Sequence, residues 1–343
     1  MQYLKTKISA VILLLASQIS MGMEALPASP PVPADNTMSA AKIELGKQLF
    51  FEPRLSIDGT SSCNSCHSVL YSGTDNRPVS VGVAGQKGGR SAPTVWNAAY
   101  MSVQFWDGRA ATLEDQAKGP ILNPIEMGMP SEASAVERIR AIPGYVKQFE
   151  AVFGGKDPVT YDNIAKAIAA YERTLVTPNS PFDRYSMGNK SALSDQAVRG
   201  MKLVEQIGCT TCHTGPNFAG PAMPVGTGFY QKFPTYQDNE FVKKYKLMAD
   251  GGRFEATKNT DDKHMWRVPT WRNVALTAPY FHNGSVETLD EAVRVMAKTQ
   301  LGKTLSDSEV ADIVVFLDSL TGEFPKQTMP QLPPTPHRSL TAK

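Results

Sequence analysis

Two short stretches, CNSCH at 63–67 and CTTCH at 209–213, gather the residues of this 343-residue chain best suited to chemistry. Between them they use all 4 cysteines and two of the 5 histidines. Four cysteines in an exported chain would ordinarily suggest two disulfides. A disulfide framework, however, has no use for a histidine directly after each second cysteine. Zinc held by two Cys-x-x-Cys pairs has none either, and its usual spacing is far shorter than the gap here. Attachment of haem c does need that histidine: the sulfurs bond the porphyrin as thioethers, and the adjacent imidazole reaches the iron from the same face. With cysteine at about one residue in a hundred, a given histidine carries the pattern by accident roughly once in ten thousand. Two such accidents are not credible. The expectation is two covalently bound haem c groups, one on Cys63, Cys66 and His67, the other on Cys209, Cys212 and His213.

A haem iron has six positions, four taken by the porphyrin and one by the motif histidine. What fills the sixth separates an electron carrier from a catalyst. Methionine closes the site as a high-potential electron-transfer centre, whereas an unfilled position admits a small oxidant. Three histidines remain, and none lies between the two motifs. His337 sits in a Pro-rich tail, and His264, in DDKHMW, reads as a surface residue. His282, in APYFHNG, reads as a hydrogen-bonded core histidine. Any single methionine of the 14 is more often core filler than ligand. Residue types alone leave open which iron, if either, is free.

The elements that must position these groups are mostly helical. Residues 1–25 carry Lys5 and Lys7 before a short apolar run, Ile8 to Ala16, an export signal too short to span a bilayer. A Pro/Ala-rich lead-in follows, then a helical period over MSAAKIELGKQLF that runs into the first motif. Thr112 with Asp115 marks a helix start, and Gly119 is expected to end that helix. TYDNIAKAIAAYERTLVT is an amphipathic helix stopped by Pro178, and TPNSPFDRYSMGNKSALS reads as a loop at a domain boundary. SDQAVRGMKLVEQIG leads into the second motif as a helix, so the motifs look like two copies of one module. Thr288 and Ser306 start the closing helices, and Gly322 stops the last. The fold class is therefore mostly α: two cytochrome c-like haem domains joined by loop-rich segments, at 26–185 and 186–325, with a Pro-rich tail at 326–343 draped over the surface. The net charge of +2 becomes +1 once Lys5, Lys7 and Glu24 leave with the leader. That balance favours neither nucleic acid nor an anionic membrane, and no later segment is apolar enough to span one.

A set of spaced motifs adds a family. SGTDNRPVSVG, APTVWNAAY, QFWDGRAATLEDQAKGPILNPIEM, RVPTWRN, APYFHNGSVETLDEAV and MAKTQL, together with both haem motifs, resemble the bacterial dihaem cytochrome c peroxidases. That family includes the dihaem enzyme that matures methylamine dehydrogenase, and the similarity runs from about residue 40 to 325. The resemblance implies a periplasmic enzyme that reduces hydrogen peroxide to water. Electrons come from a small cytochrome c or blue-copper protein through the C-terminal haem, and the protein is a homodimer. By the same resemblance Met296 opposes His213 at the electron-accepting haem. Glu126 is the acid/base beside the peroxidatic haem, Gln116 and Phe105 line its pocket, and Trp106 lies between the haems. A carboxylate there can take a proton from one peroxide oxygen and return it to the other.

The chain departs from the family at two places. Most members carry a histidine in the Gly-rich loop that blocks the N-terminal haem, and this chain has Val83, which cannot bind iron. The expectation is an N-terminal haem open without reductive activation; Met101, Met127, Met129 and Tyr71 are the substitute ligands to weigh against it. The family's interdomain calcium takes carbonyls matching Thr277 and Pro279 and an asparagine that is Ser91 here, a poorer donor. Two other functions compete. A partner-oxidising relative has tyrosine where this chain has Met296, and a non-enzymatic dihaem carrier has two closed irons and no need of Glu126. The electronic spectrum of the fully oxidised protein is expected to show one high-spin and one low-spin haem; a wholly low-spin N-terminal haem would end the open-site reading.

Overall fold

The computed structural model describes residues 22–335. Its first half contains α1 (Ala40–Phe50), α2 (Cys63–Cys66), α3 (Leu113–Leu122), α4 (Glu132–Arg140), α5 (Pro143–Phe153), α6 (Tyr161–Glu172) and α7 (Pro181–Ser186). The second half contains α8 (Asp195–Ile207), α9 (Glu240–Lys244), α10 (Phe254–Thr257), α11 (Leu289–Leu301) and α12 (Asp307–Asp318). Among the described residues the strands are limited to β1 (Tyr230–Lys232) and β2 (Met265–Arg267), paired antiparallel with Gln231 opposite Trp266. The mostly α expectation holds.

The helix starts are chemical. Ser39, Thr112, Thr160, Ser194, Thr288 and Ser306 each cap a helix by accepting a backbone N–H two or three residues into it. Several stops differ from expectation. α3 runs through Gly119 and Pro120 to Leu122, because Met127 and Met129 donate their N–H groups to the Pro120 and Ile121 carbonyls and hold the last turn. α6 ends at Glu172, ahead of Pro178, and α12 at Asp318, ahead of Gly322. The stretch read as a boundary loop contains α7, and Phe182, assigned from sequence to the first domain, packs in the core of the second half.

Each half is built on one tight helix crossing. In the first, α1 meets α6 where a methyl group on Gly46 would lie 1.8 Å from the Ala167 carbonyl oxygen. In the second, α8 meets α12, and a methyl on Gly200 would lie 1.9 Å from the Asp312 oxygen. Around these crossings lie separate cores, Leu45, Leu49, Phe149 and Ile164 in one and Phe182, Val204, Phe316 and Leu320 in the other. A third cluster, with Trp266, Tyr280 and Val295, adjoins the second.

The duplication extends further at a constant offset of 176 positions (273 minus 97). Asn97 and Asn273 both take left-handed backbone angles, with φ of 64° and 60°. So do Phe105 and Phe281, at 68° and 70°. Each phenylalanine sits in a matching β-bridge loop, Gln104 to Ala110 and Tyr280 to Val286, that enters a helix capped by Thr112 or Thr288. The halves meet at Thr177, whose Oγ1 accepts from Asn97 Nδ2 at 2.8 Å and Asn273 Nδ2 at 2.9 Å.

Both chain ends cross between halves. Arg272 Nη2 donates to the Glu24 carbonyl at 3.0 Å, and Leu26 N donates to Asp183, so the described start of the chain lies on the second half. The Pro-rich tail returns over the first, with Arg54 donating to the Pro333 carbonyl and Phe324 edge-on to Trp96. Residues 1–21 of the expected leader and His337 lie outside the described residues. Because nothing can shift at backbone carbonyls without opening a helix pair, Gly200→Ala is expected to destabilise the holoprotein by about 1–3 kcal/mol. Gly89→Ala, with no atom near the added methyl, should change the midpoint little in the same denaturation experiment.

Candidate functional site

The four motif cysteines are not joined in disulfides, and no cluster of three or more His, Cys, Asp or Glu capable of holding a metal occurs among the described residues. Instead Cys63, Cys66, His67, Cys209, His213 and Met296 face one cavity of about 680 Å³. Cys212 faces an adjoining one of about 110 Å³. His213 is buried, His67 is half-buried, and both are oriented from behind. His67 Nδ1 lies 3.0 Å from the Pro93 carbonyl and His213 Nδ1 lies 3.0 Å from that of Phe218. With the Nδ1–H donating, Nε2 is left as the metal-binding atom. Burial lowers both pKa values, that of His213 to about 4, which keeps each ring neutral as a ligand must be. Trp271 stacks on the His213 ring at 4.3 Å and fixes its plane. Paired thiols, a neutral imidazole with a free Nε2, and a large apolar cavity in front of both fit haem at each motif.

The other sequence-derived residues converge on the same space. Phe105, Trp106, Gln116 and Glu126 all line the cavity with His67. Trp106 is fixed from three directions: its Nε1 donates to the Ser91 carbonyl at 2.8 Å, Arg267 N donates to its carbonyl, and Arg267 Nε donates to the Phe105 carbonyl. Arg109 stacks over the Phe105 ring at 3.5 Å and pairs with Asp107. Glu126 accepts from Asn123 Nδ2 at 2.8 Å. Burial raises its carboxyl above the ordinary range, against the opposing pull of Arg109 and the Asn123 bond. That shift favours the protonated form and suits a group that must exchange a proton with a bound ligand.

The Gly-rich loop is docked on this acid. Val83 N donates to the Glu126 carbonyl at 3.0 Å, Gln86 Nε2 to that of Pro124 at 3.0 Å, and Ala84 N to Asp58. Gly82 approaches so closely that an added methyl would lie 2.0 Å from the Ile125 oxygen. Gly82 borders the cavity, whereas the buried Val83 side chain turns toward Gly128. Among the substitute ligands, Tyr71 is 60% exposed, and Met129 belongs to the first core without bordering the cavity. Met101 borders the cavity, but its sulfur accepts from Asn217 Nδ2 beside the second motif; Met127 borders it too.

Sequence reasoning missed or misread several neighbours. His264 is buried, with Nδ1 3.0 Å from the Asp250 carbonyl, because the left-handed backbone at 264 turns the ring inward. His282 stacks on Trp266 at 4.2 Å, and its Nε2 is buried without a partner, so it is not the satisfied core histidine expected. Pro120 borders the cavity at the position 176 residues before Met296, so the two modules differ just where a methionine enters one of them. Glu172 also borders the cavity; alignment of Tyr171 and Leu175 with Phe316 and Leu320, at and just past the end of α12, would have drawn notice to it.

Comparison with known proteins gives this geometry its context. The model of the di-haem cytochrome c peroxidase family matches residues 40–191. The cytochrome c551 peroxidase of Pseudomonas aeruginosa is 47% identical over 304 residues, 86% of this chain and 83% of that protein. That of Nitrosomonas europaea is 43% identical over 305 residues, 89% and 87% of the two chains. The chain belongs to the di-haem cytochrome c peroxidase family. A crystal structure of a MauG-like protein associated with microbial copper homeostasis has a TM-score of 0.75 at 32% identity, covering 87% of this chain and 95% of that one. The di-haem peroxidase is thus an oxidoreductase of two haem groups that acts on peroxide with electrons from a redox protein. Disturbing the docked loop should be felt at Glu126: Gly82→Ala is expected to lower peroxide turnover about 10- to 100-fold at unchanged haem content, since misplacement by about 1 Å can cost 100-fold.

Proposed function

We propose that this chain is a periplasmic peroxidase with two covalently attached haem c groups, whose N-terminal site stands open in the resting enzyme. The observation that carries the reading is the asymmetry between matched modules. The second presents Met296 to the cavity from α11; the first presents Pro120, a side chain that cannot bind iron, with Glu126 and Gln116 nearby. Val83 reinforces it, since valine offers no ligand and its side chain packs away from the cavity.

Haem held by Cys63, Cys66 and His67 would supply the centre at which the peroxide O–O bond is cleaved. The overall reaction takes two electrons and two protons for each peroxide and yields two waters. Glu126 accepts a proton from one oxygen of the substrate and delivers it to the other as water leaves. Gln116 positions the substrate, Phe105 closes the pocket wall, and the hydrogen-bonded Trp106 spans the ground between the two sites. His213 and Met296 would hold the second haem, which would supply electron transfer there. A small cytochrome c or blue-copper protein delivers electrons there, in an encounter that buries little surface. The protein works as a homodimer.

Calcium is proposed at the carbonyls of Thr277 and Pro279 beside Ser91, three positions that border the cavity between the halves. Asn76 of the first half reaches the same segment, donating to the Leu276 and Ala278 carbonyls at 3.0 and 2.7 Å. Peroxide turnover by the Glu126→Gln protein, measured with a reduced donor, is expected to fall about 100- to 10,000-fold, the usual worth of a positioned acid/base. Unchanged turnover would remove Glu126 from the mechanism.

A further inference from the structure

Glu172 ends α6 with its side chain bordering the cavity on the Cys63 side. It is 5% exposed, and its Oε2 has no hydrogen-bond partner. The adjacent cation is engaged elsewhere: Arg173 donates from Nη1 and Nη2 to the two carboxylate oxygens of Glu114 on α3, at 2.7 and 3.0 Å. Glu114 itself and the carbonyl end of α6 both oppose a negative charge at 172. The remaining titratable neighbours do not compensate. Cys63 on α2 and Tyr171 on α6 carry no positive charge, and Lys42 on α1 donates its Nζ to Asn36 and the Thr37 carbonyl. Burial accordingly pushes the Glu172 carboxyl up to about 8, so it holds its proton at neutral pH.

The fold does not require an acid there. Ala167 in α6 and Asp312 in α12 are the matched crossing points, each pressed by a glycine. One residue further on stand Ile168 and Ile313; five further on stand Glu172 and Leu317. All four border the cavity. The second module therefore fills with leucine the place where the first keeps an unpartnered carboxyl. Packing alone would favour leucine in both, because burying a polar group without a hydrogen bond is unfavourable.

We propose that Glu172 is a proton-holding acid coupled to electron transfer at the N-terminal haem, protonated while that site is reduced and ionised when the site has given up an electron. Of the two electrons that pass to peroxide, one leaves this site and the other comes from the second centre, and one proton leaves the Glu172 carboxyl oxygen for solvent. The carboxylate left behind offsets the positive charge gained, and re-reduction takes back one electron and one proton. The acid acts through charge and touches neither substrate nor reacting atoms. It is a positioning residue for the proton, and it rests on reading Cys63–His67 as a haem attachment site.

Spectroelectrochemical titration of the holoprotein between pH 6 and 10 tests it. In the wild type the N-terminal haem potential should fall as pH rises through the range in which Glu172 ionises, because the anion favours the oxidised site. Glu172→Gln should hold the potential at its low-pH value throughout, with the C-terminal haem unchanged. Glu172→Leu, the residue of the other module, should be equally flat. Should the variants not load haem, reduced-minus-oxidised infrared spectra of the wild type and of Glu126→Gln should both carry a protonated-carboxyl band that shifts in D2O. A pH-independent wild-type potential, the same pH dependence in Glu172→Gln, or the absence of that band would overturn the proposal. A pyridine haemochrome assay showing fewer than two covalent haems would instead unseat the underlying reading.

Discussion

Everything in this molecule depends on how its two motif histidines are held. An imidazole can bind a metal through only one nitrogen at a time, and the other must be occupied for the ring to keep one tautomer and one direction. Here the occupant is a backbone carbonyl in each half, from Pro93 behind His67 and from Phe218 behind His213. Those carbonyls are only as steady as the backbone that carries them. That is why so much of the structure immobilises loops, which make up much of the chain between helices. The shared Thr177 hydroxyl joins the asparagine turn of one module to that of the other. A displacement in either half is thereby felt in both.

The strained backbone positions fit this arrangement. Phe105 and Phe281 both sit in the left-handed region, which is unfavourable for a bulky residue and persists only where surroundings over-determine it. At Phe105 the surroundings are explicit: the Arg267 guanidinium takes its carbonyl and the Arg109 guanidinium covers its ring. The strained turn aims the next residue, Trp106, into the cavity between the motifs. Arg267 is buried, which lowers its pKa to about 10, and its bonds go to carbonyls of the first half and to its own strand. It works as a structural clamp between the halves.

Two copies of one module have been turned to different chemistry by few changes. Pro120 stands against Met296 and Glu172 against Leu317, all four bordering the cavity. Neither change disturbs the helix crossing at Gly46 or Gly200 on which each half is built. A di-haem peroxidase needs one centre that reacts and one that only conducts. Duplication followed by substitution at cavity-facing positions supplies both without a new fold.

The candidate attachment motifs were legible in the sequence because they are local. Cys-x-x-Cys-His is a contiguous pattern, helix caps act within three residues, and an amphipathic period shows in a dozen. Those features pointed to the candidate haem-binding residues and marked out the mostly α class and the helices that flank each motif. Family motifs added Glu126, Gln116, Phe105 and Trp106, all of which line one cavity in the folded chain. What the chain alone did not show was direction and partnership. Val83 was read only as a residue unable to bind iron, and its direction comes from the fold: hydrogen bonds from its loop to Pro124 and Glu126 hold its side chain toward Gly128. His264 was read as exposed, yet a left-handed turn buries it. Alignment of the two modules could have marked Glu172 against Leu317, but that its neighbour Arg173 is engaged with Glu114 is seen only in the fold. Such facts belong to contacts between residues dozens of positions apart, where packing rather than local preference decides which way a side chain points.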